Sequence, residues 1–281
     1  MTNSTTSAPE LIQEQVASLL VQPLEAASVV LSSGPQIFDS SEPLRIPTVE
    51  AGITAGFVAE NALIPDADVD FGEITLMPSN RTSIKAMTKF SNELLRQSTV
   101  GLDAVLKARL VNDVSKALDT ALLTGAGTSN SITGLINQTG VQTGELDVAD
   151  PDSLLDALAL AAAEEVTPNR WFISGDDFFA LRKLKEATDS AKYLLEANIH
   201  AGATYSLFGI PVTVTNKLAA GTAVLADMSQ VAVVRDLAPS VTVLSERFAE
   251  YDQQAIRVVT RYDLGLIHPK GVVVLTAETE G

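Results

Sequence analysis

The chain has 281 residues and a formal net charge of −16, with 46% hydrophobic, 5% aromatic and 19% charged residues. It contains no cysteine, which excludes a disulfide framework and a thiolate metal site. Binding to a polyanion depends on basic side chains that neutralise phosphates, so an acidic chain without a basic stripe is a poor direct DNA or RNA binder.

Length and hydropathy allow one large core or two domains. With so few aromatics, that core must be built from Ala, Val, Leu and Ile. No apolar run reaches the length of a membrane span. The opening MTNSTTSAPE lacks the basic and apolar regions of a secretory signal, so a soluble cytoplasmic product is expected.

Residues 1–8 are polar and read as disordered. A short amphipathic pattern follows at Leu11, Ile12, Val16, Leu19 and Leu20, ending near Pro23. Residues 24–42 read as extended chain with a turn at Ser33-Gly34-Pro35. Nothing in this arm suggests how it would bury its own apolar residues.

Prolines at 43, 47, 65 and 78 and glycines at 52, 56 and 72 exclude a helix over residues 43–90. Alternation at Val69, Phe71, Ile74 and Leu76, with Gly72 as a candidate bulge, and again at Ile84, Ala86, Thr88 and Phe90, predicts a long two-stranded excursion. A long connection in a compact domain usually has a function. An isolated hairpin is marginal in water. The excursion therefore packs either on its own core or on a neighbouring subunit.

The longest helical pattern runs from Leu102 to Leu122. Leu102, Val105, Leu106, Leu110, Val114, Ala117, Leu118, Ala121 and Leu122 define its apolar face; Asp103, Lys107, Asn112, Asp113, Lys116 and Asp119 fall mostly opposite. Gly125 and Gly127 stop it. The loop from Leu123 to Gly140 superficially resembles a phosphate cradle but lacks the lysine that a P-loop requires, so it reads as a Gly/Ser/Asn loop. From Lys116 to Arg170 no cation intervenes, while Asp119, Glu145, Asp147, Asp150, Asp152, Asp156, Glu164 and Glu165 accumulate.

Asp150-Pro151-Asp152 opens a second helix that Thr167-Pro168 closes. Trp171–Ile173 reads as a strand, and Gly175-Asp176-Asp177 starts a third helix through Leu184. Arg182, Lys183, Lys185 and Lys192, interleaved with Glu186 and Asp189, read as a solvated helix face rather than a phosphate patch. Strands follow at 210–214, 222–226, 230–234 and 241–245, with a turn over Arg235–Pro239, and two more at Ala255–Arg261 and Val272–Thr276. Helices and strands mix without βαβ alternation, which predicts an α+β fold.

The chain makes no positive case for an enzyme. His200 and His268 lack metal-ligand spacing, and no nucleophile elbow occurs. His268, before Pro269, reads as structural. Glu164-Glu165 and Asp176-Asp177 are adjacent in sequence and so do not face each other on a helix. No catalytic, cofactor-binding or metal-ligating residue is assigned, and no cofactor is expected.

Five pieces in order carry a resemblance: FVAENALIPDADVDFGEITL (57–76), FSNELLRQST (90–99), LDTALLTGAGTSNSITGLIN (118–137), LFGIPVTVTNKLAAGTAVLAD (207–227) and IRVVTRYDLGLIHPKGVVVL (256–275). Together they resemble the major capsid proteins of tailed bacteriophages, with the Hong Kong 97 phage fold. The resemblance implies an N-terminal arm (1–42), an extended β-hairpin E-loop (43–89), a peripheral domain with its spine helix (90–144), an axial domain (145–247) and a return to the peripheral domain (248–281). It implies hexamers and pentamers in an icosahedral shell around double-stranded DNA, assembled in the host cytoplasm, with arm and E-loop reaching across neighbours and no membrane. Portal and scaffold or cement proteins are the implied partners. An encapsulin-type shell around protein cargo is the alternative.

Four expectations follow. An acidic shell lining would repel DNA and let it slide during packaging. The polar side of the long helix, with Lys107, Arg109, Asp113 and Lys116, would face a subunit or the interior. The family prototype joins an E-loop lysine to a neighbour's asparagine, but here Lys85 is the first lysine and residues 245–255 contain no asparagine, so no autocatalytic crosslinking is expected. The short region before the E-loop shows no long coiled-coil scaffolding pattern, so a separate scaffold protein, a removed leader or a shell that needs none is expected.

Overall fold

A computed structural model describes residues 28–51, 57–58, 70–77, 83–93, 102–128, 131–186, 192–194, 205–244 and 246–277. The predicted long helix is present as α1 (Leu102–Thr124). At 1.5 Å per residue it is roughly 34 Å long. Its buried stripe is Leu110, Val111, Val114, Ser115, Leu118, Asp119, Leu122 and Leu123. That stripe is rotated from the expected one: Ala117 is exposed, whereas Asp119 is buried. The helix stops where the backbone becomes crowded. A Cβ on Gly125 would collide with the carbonyls of Ala121 and Ile132.

One apolar cluster joins α1 to a four-stranded sheet. The sheet has the order β1-β10-β11-β4, formed by β1 (Gln36–Asp39), β4 (Ile84–Ser91), β10 (Val231–Leu244) and β11 (Gln253–Leu266). Strand β1 runs parallel to β10; the other pairs are antiparallel. Val231, Val233, Ile256, Val258, Tyr262 and Leu264 point into the cluster. Each fully buried aliphatic side chain of this kind contributes about 1.5–3 kcal/mol of transfer free energy.

A six-stranded sheet has the order β5-β12-β9-β6-β8-β7. Its strands are β5 (Gln142–Glu145), β6 (Arg170–Ile173), β7 (Ser206–Leu207), β8 (Ile210–Val214), β9 (Thr222–Ala226) and β12 (Val272–Thr276). Strand residues alternate between two cores. Phe172, Val224, Ala226, Val272 and Val274 join the α1 cluster. Trp171, Ile173, Ala223, Leu225, Val273 and Leu275 pack with α2 (Asp152–Ala163) and α3 (Gly175–Arg182). Burial on both faces explains why these strands read as continuous apolar runs. The architecture is α+β, as expected.

Several expectations need correction. The Arg235–Pro239 run is not a turn but lies inside the 14-residue strand β10. Register irregularities between Arg235 and Leu237, and between Leu237 and Ser240, absorb it. Proline lacks an amide donor and is tolerated in a strand at such a bulge. Strand β10 pairs with β11, whereas β12 pairs with β5 and β9. The third helix ends at Arg182 rather than Leu184.

The excursion pairs differently too. Its two strands are β2 (Leu44–Ala51) and β3 (Asp70–Leu76), while β4 lies in the four-stranded sheet. The ribbon's irregularity falls between Val49 and Ala51; Gly72 sits in regular register with Thr48. Pro47 fits because a two-stranded ribbon always leaves one side of each strand unpaired.

The arm does bury apolar residues. Val30 and Leu31 are 0% and 5% exposed, within the α1 cluster, and residues 31–33 form a 3-10 turn rather than extended chain.

Candidate functional site

Among the described residues, no constellation of reactive side chains forms around those weighed for chemistry. Asp176 is exposed, whereas the buried Asp177 is a clasp. Its Oδ2 accepts from Ser174 Oγ at 2.7 Å and from the Gly221 amide at 2.7 Å, tying the start of α3 to the turn before β9. Ser174 in turn accepts the Asp177 amide as the helix N-cap. Glu164 pairs with Lys270 at 3.5 Å, and Glu165 sits at φ 57 in the turn after α2. His268 is half-buried and precedes a 3-10 turn, with the Gly271 amide donating to its carbonyl. His200 lies outside the described residues. Among the described residues no group of three or more acidic or histidine side chains could hold a metal ion, and no helix is long and apolar enough to cross a membrane.

The Gly-rich loop after α1 spends its amides on itself. Gly127 donates to Ile132, Gly134 to Gly125, and the Asn137 side chain to the carbonyls of Thr124 and Gly125. The loop thereby satisfies the Thr124 carbonyl at the helix end. The cations after it do not converge either. Lys192 pairs with Glu186 at 2.8 Å, Lys185 lies over the Tyr193 ring, and Arg182 lies near the rings of Phe178 and Tyr205. The acidic run around α2 lines an open recess of ≈ 230 Å³ with Glu145, Asp147, Asp150, Asp152 and Asp156.

What the fold does present is a set of surfaces with unmet packing. The β2–β3 ribbon carries Phe71 at 76% exposure. Among its described residues, the root packs against the rest of the chain. There Leu76, Met77, Ile74, Ile46 and Leu44 pack on Ala232 and Val234 of β10. Met77 adopts φ 57, and its amide donates to Asp263 Oδ2 at 2.7 Å. Burial pushes the Asp263 carboxyl above its ordinary pKa, against the lowering effect of the Met77 and Leu264 amides. The turn into β1 is tied to α1 by Asp119, which accepts from Ser28 Oγ at 2.6 Å and from the Val29 and Val30 amides at 3.0 and 3.3 Å. Next along the chain, Asp39 is held below the ordinary carboxylate range by its two-point hydrogen bonds to Arg235, at 2.6 and 2.8 Å. On the outer side of α1, Lys116 is exposed and Arg109 pairs with Asp113 at 3.0 Å; the Lys107 side chain lies outside the described residues.

Comparison with known proteins decides what such surfaces belong to. The model of the phage capsid family matches residues 10–277. This chain belongs to the phage capsid family. A major capsid protein of Halomonas phage phiHAP-1 is 30% identical over 82 residues, a match covering 29% of this chain and 13% of that relative. Among solved structures, the capsid of a native GTA particle superposes with a TM-score of 0.74 at 18% identity, covering 89% of this chain and 90% of that one. Mycobacterium phage Adephagia gives 0.71 at 17% identity over 90% and 91%, and Mycobacterium phage Cain gives 0.70 at 18% over 100% of both chains. At these identities the superpositions speak for the fold, which is the capsid fold named by the sequence resemblance.

Proposed function

We propose that this chain is the major capsid protein of a tailed phage, assembling as hexamers and pentamers into an icosahedral shell around double-stranded DNA. The observation that carries this reading is the family match over residues 10–277. The matched relatives and structures are phage and GTA capsids, which favours a virion shell over an encapsulin-type container for protein cargo.

In this reading the β2–β3 ribbon is the E-loop and α1 is the spine helix of the peripheral domain. The six-stranded sheet with α2 and α3 forms the body of the axial domain. The arm and the ribbon reach across neighbours, the role suggested by a ribbon with an exposed Phe71 and too few strands to stand alone. No catalytic, cofactor or metal chemistry is assigned to it. Portal and scaffold or cement proteins are its further partners, and assembly takes place in the host cytoplasm. The acidic surface around α2 would repel DNA wherever it lines the shell.

Electron microscopy of the purified protein tests the reading directly. Closed shells or capsomers are expected, and shells recovered from infected cells should hold nuclease-protected DNA. A dispersed monomer under all assembly conditions would contradict it, and particles filled with protein cargo would favour the encapsulin alternative.

A further inference from the structure

The β2–β3 ribbon is fastened to the body at two points that sit side by side on the β10–β11 ladder. Its entry is held by Arg235: the Ser40 amide donates to the Arg235 carbonyl at 3.0 Å, and the Arg235 side chain donates to Asp39 at 2.6 and 2.8 Å. Its exit is held by Asp263, whose Oδ2 accepts the Met77 amide at 2.7 Å while Oδ1 accepts the Leu264 amide at 2.9 Å. Arg235 is the ladder partner of Tyr262, and Val234 that of Asp263, so the two fastenings lie at neighbouring rungs. They differ in chemistry. The entry joins a carboxylate to a guanidinium, whereas the exit sets a carboxylate against two amides.

Met77 is 4% exposed and turns at φ 57, a conformation that residues with a Cβ seldom adopt. Leu76 lies on Gly265, in the same strand as Asp263. Among the described residues no cation pairs with Asp263. Across the ladder it meets Val234 and, diagonally, Ala232, both buried in the root cluster. Arg261, two residues back on the same face of β11, is engaged with Asp236 at 3.0 Å and with the Ser83 hydroxyl at 2.9 Å. On the ribbon, Arg45 and Glu73 occupy the face opposite to Ile46, Ile74 and Leu76, and lie 3.7 Å from each other. Asp39 and Arg235 alternate with Phe38 and Val234, which join the root cluster, and so point to the other side of the sheet.

An ionised carboxylate has acceptor sites for about four hydrogen bonds and is costly to remove from water. Here two amides serve it, and lifting the root admits water to the remaining sites. A protonated carboxyl carries no charge, sits more readily beside apolar side chains and still offers an acceptor oxygen. We propose that Asp263 and Met77 form a proton-operated latch at the exit of the ribbon, closed when the carboxyl is protonated and opened more often when it is ionised, while the Asp39–Arg235 entry holds. The ribbon then hinges on its entry, and its set against the body depends on pH. Linkage gives the sign. Burial raises the Asp263 pKa in the seated root, so the seated form binds the proton more tightly than the lifted form, and raising the pH favours lifting. The Asp39 carboxyl is held below its ordinary value and stays ionised over the same range. The latch is a property of the single chain and stands apart from the shell reading.

Amide hydrogen exchange on the full-length chain tests the latch, with each rate corrected for the intrinsic pH dependence of exchange. From about pH 5 to about pH 8, protection over residues 74–77 should fall several-fold, whereas protection at Ser40 on the entry and over residues 110–122 of α1 should stay level. Asp263→Asn, which keeps an acceptor oxygen but cannot ionise, should hold the acid-side protection across the whole range. If that variant fails to fold, the contrast between residues 74–77 and Ser40 in wild type still decides. Level protection over residues 74–77, a change of opposite sign, an equal fall at Ser40, or an unaltered fall in Asp263→Asn would each overturn the latch. A chain that forms no shell sinks the shell reading, while the exchange contrast still judges the latch.

Discussion

Leu76 occupies the space above Gly265. A Cβ at position 265 would come within 2.5 Å of Leu76 Cδ2 and 3.2 Å of Ile74 Cγ2. The close approach lets the ribbon root lie flat on β11. Leu76 is only 3% exposed, so it cannot swing aside without displacing neighbours. Gly265→Ala should therefore cost about 1–3 kcal/mol, the usual range for overpacking a filled site. Urea denaturation would measure it. An unchanged midpoint would show that the root has room that the packing does not suggest.

Asp119 fixes the chain entering β1. Replacing it with Ala would leave the Val29 and Val30 amides and the Ser28 hydroxyl without their acceptor in a buried site. The expected loss is about 1.5–3 kcal/mol, the range for hydrogen bonds to a charged group. Proteolysis should then cut near residues 28–33 at protease levels that leave wild type intact. Asp119→Asn, which keeps an acceptor oxygen, should lie between the two.

Two carboxylates give opposite pH dependences. The folded chain raises the pKa of Asp263, so it binds that proton more tightly than the unfolded chain does. Above the ordinary carboxylate pKa of about 3.9, stability from this group falls as pH rises through the raised value. Asp39 is lowered, so its stabilisation is present above the ordinary value and is lost as pH falls through the depressed one. Asp39 is 68% exposed, and water screens much of its effect. Asp263→Asn keeps an acceptor for the Met77 amide but removes the titration. Its unfolding midpoint should fall less than wild type's as pH rises above the ordinary value, whereas an identical pH profile would contradict the assignment.

Particles of the wild-type protein should run as monomer after boiling in SDS. No lysine precedes Lys85, and residues 245–255 contain no asparagine, so the lysine–asparagine bond of the family prototype has no donor within the ribbon and no acceptor in that segment. A covalent ladder from untreated wild-type shells would refute this.

The sequence by itself determined the repetitive elements. The four-residue spacing of Leu110, Val114, Leu118 and Leu122 located α1, and alternation located β4. Asp150-Pro151-Asp152 marked the start of α2, and glycines marked the end of α1. These signals are legible because they arise within a few residues, where backbone geometry and side-chain period act together. Only the tertiary structure decided which partners these elements meet. Asp119 looks like a surface residue until amides from 90 residues away close on it. Pro239 looks like a turn until β11 carries β10 past it through two register shifts. Strand β3 pairs with β2 rather than β4, and β12 joins β9 rather than β11. Each of these choices rests on long-range hydrogen bonding and apolar contact, which local periodicity does not encode. The same holds for Lys89 and Arg257, which lie 168 positions apart and which sheet register alone brings onto one face.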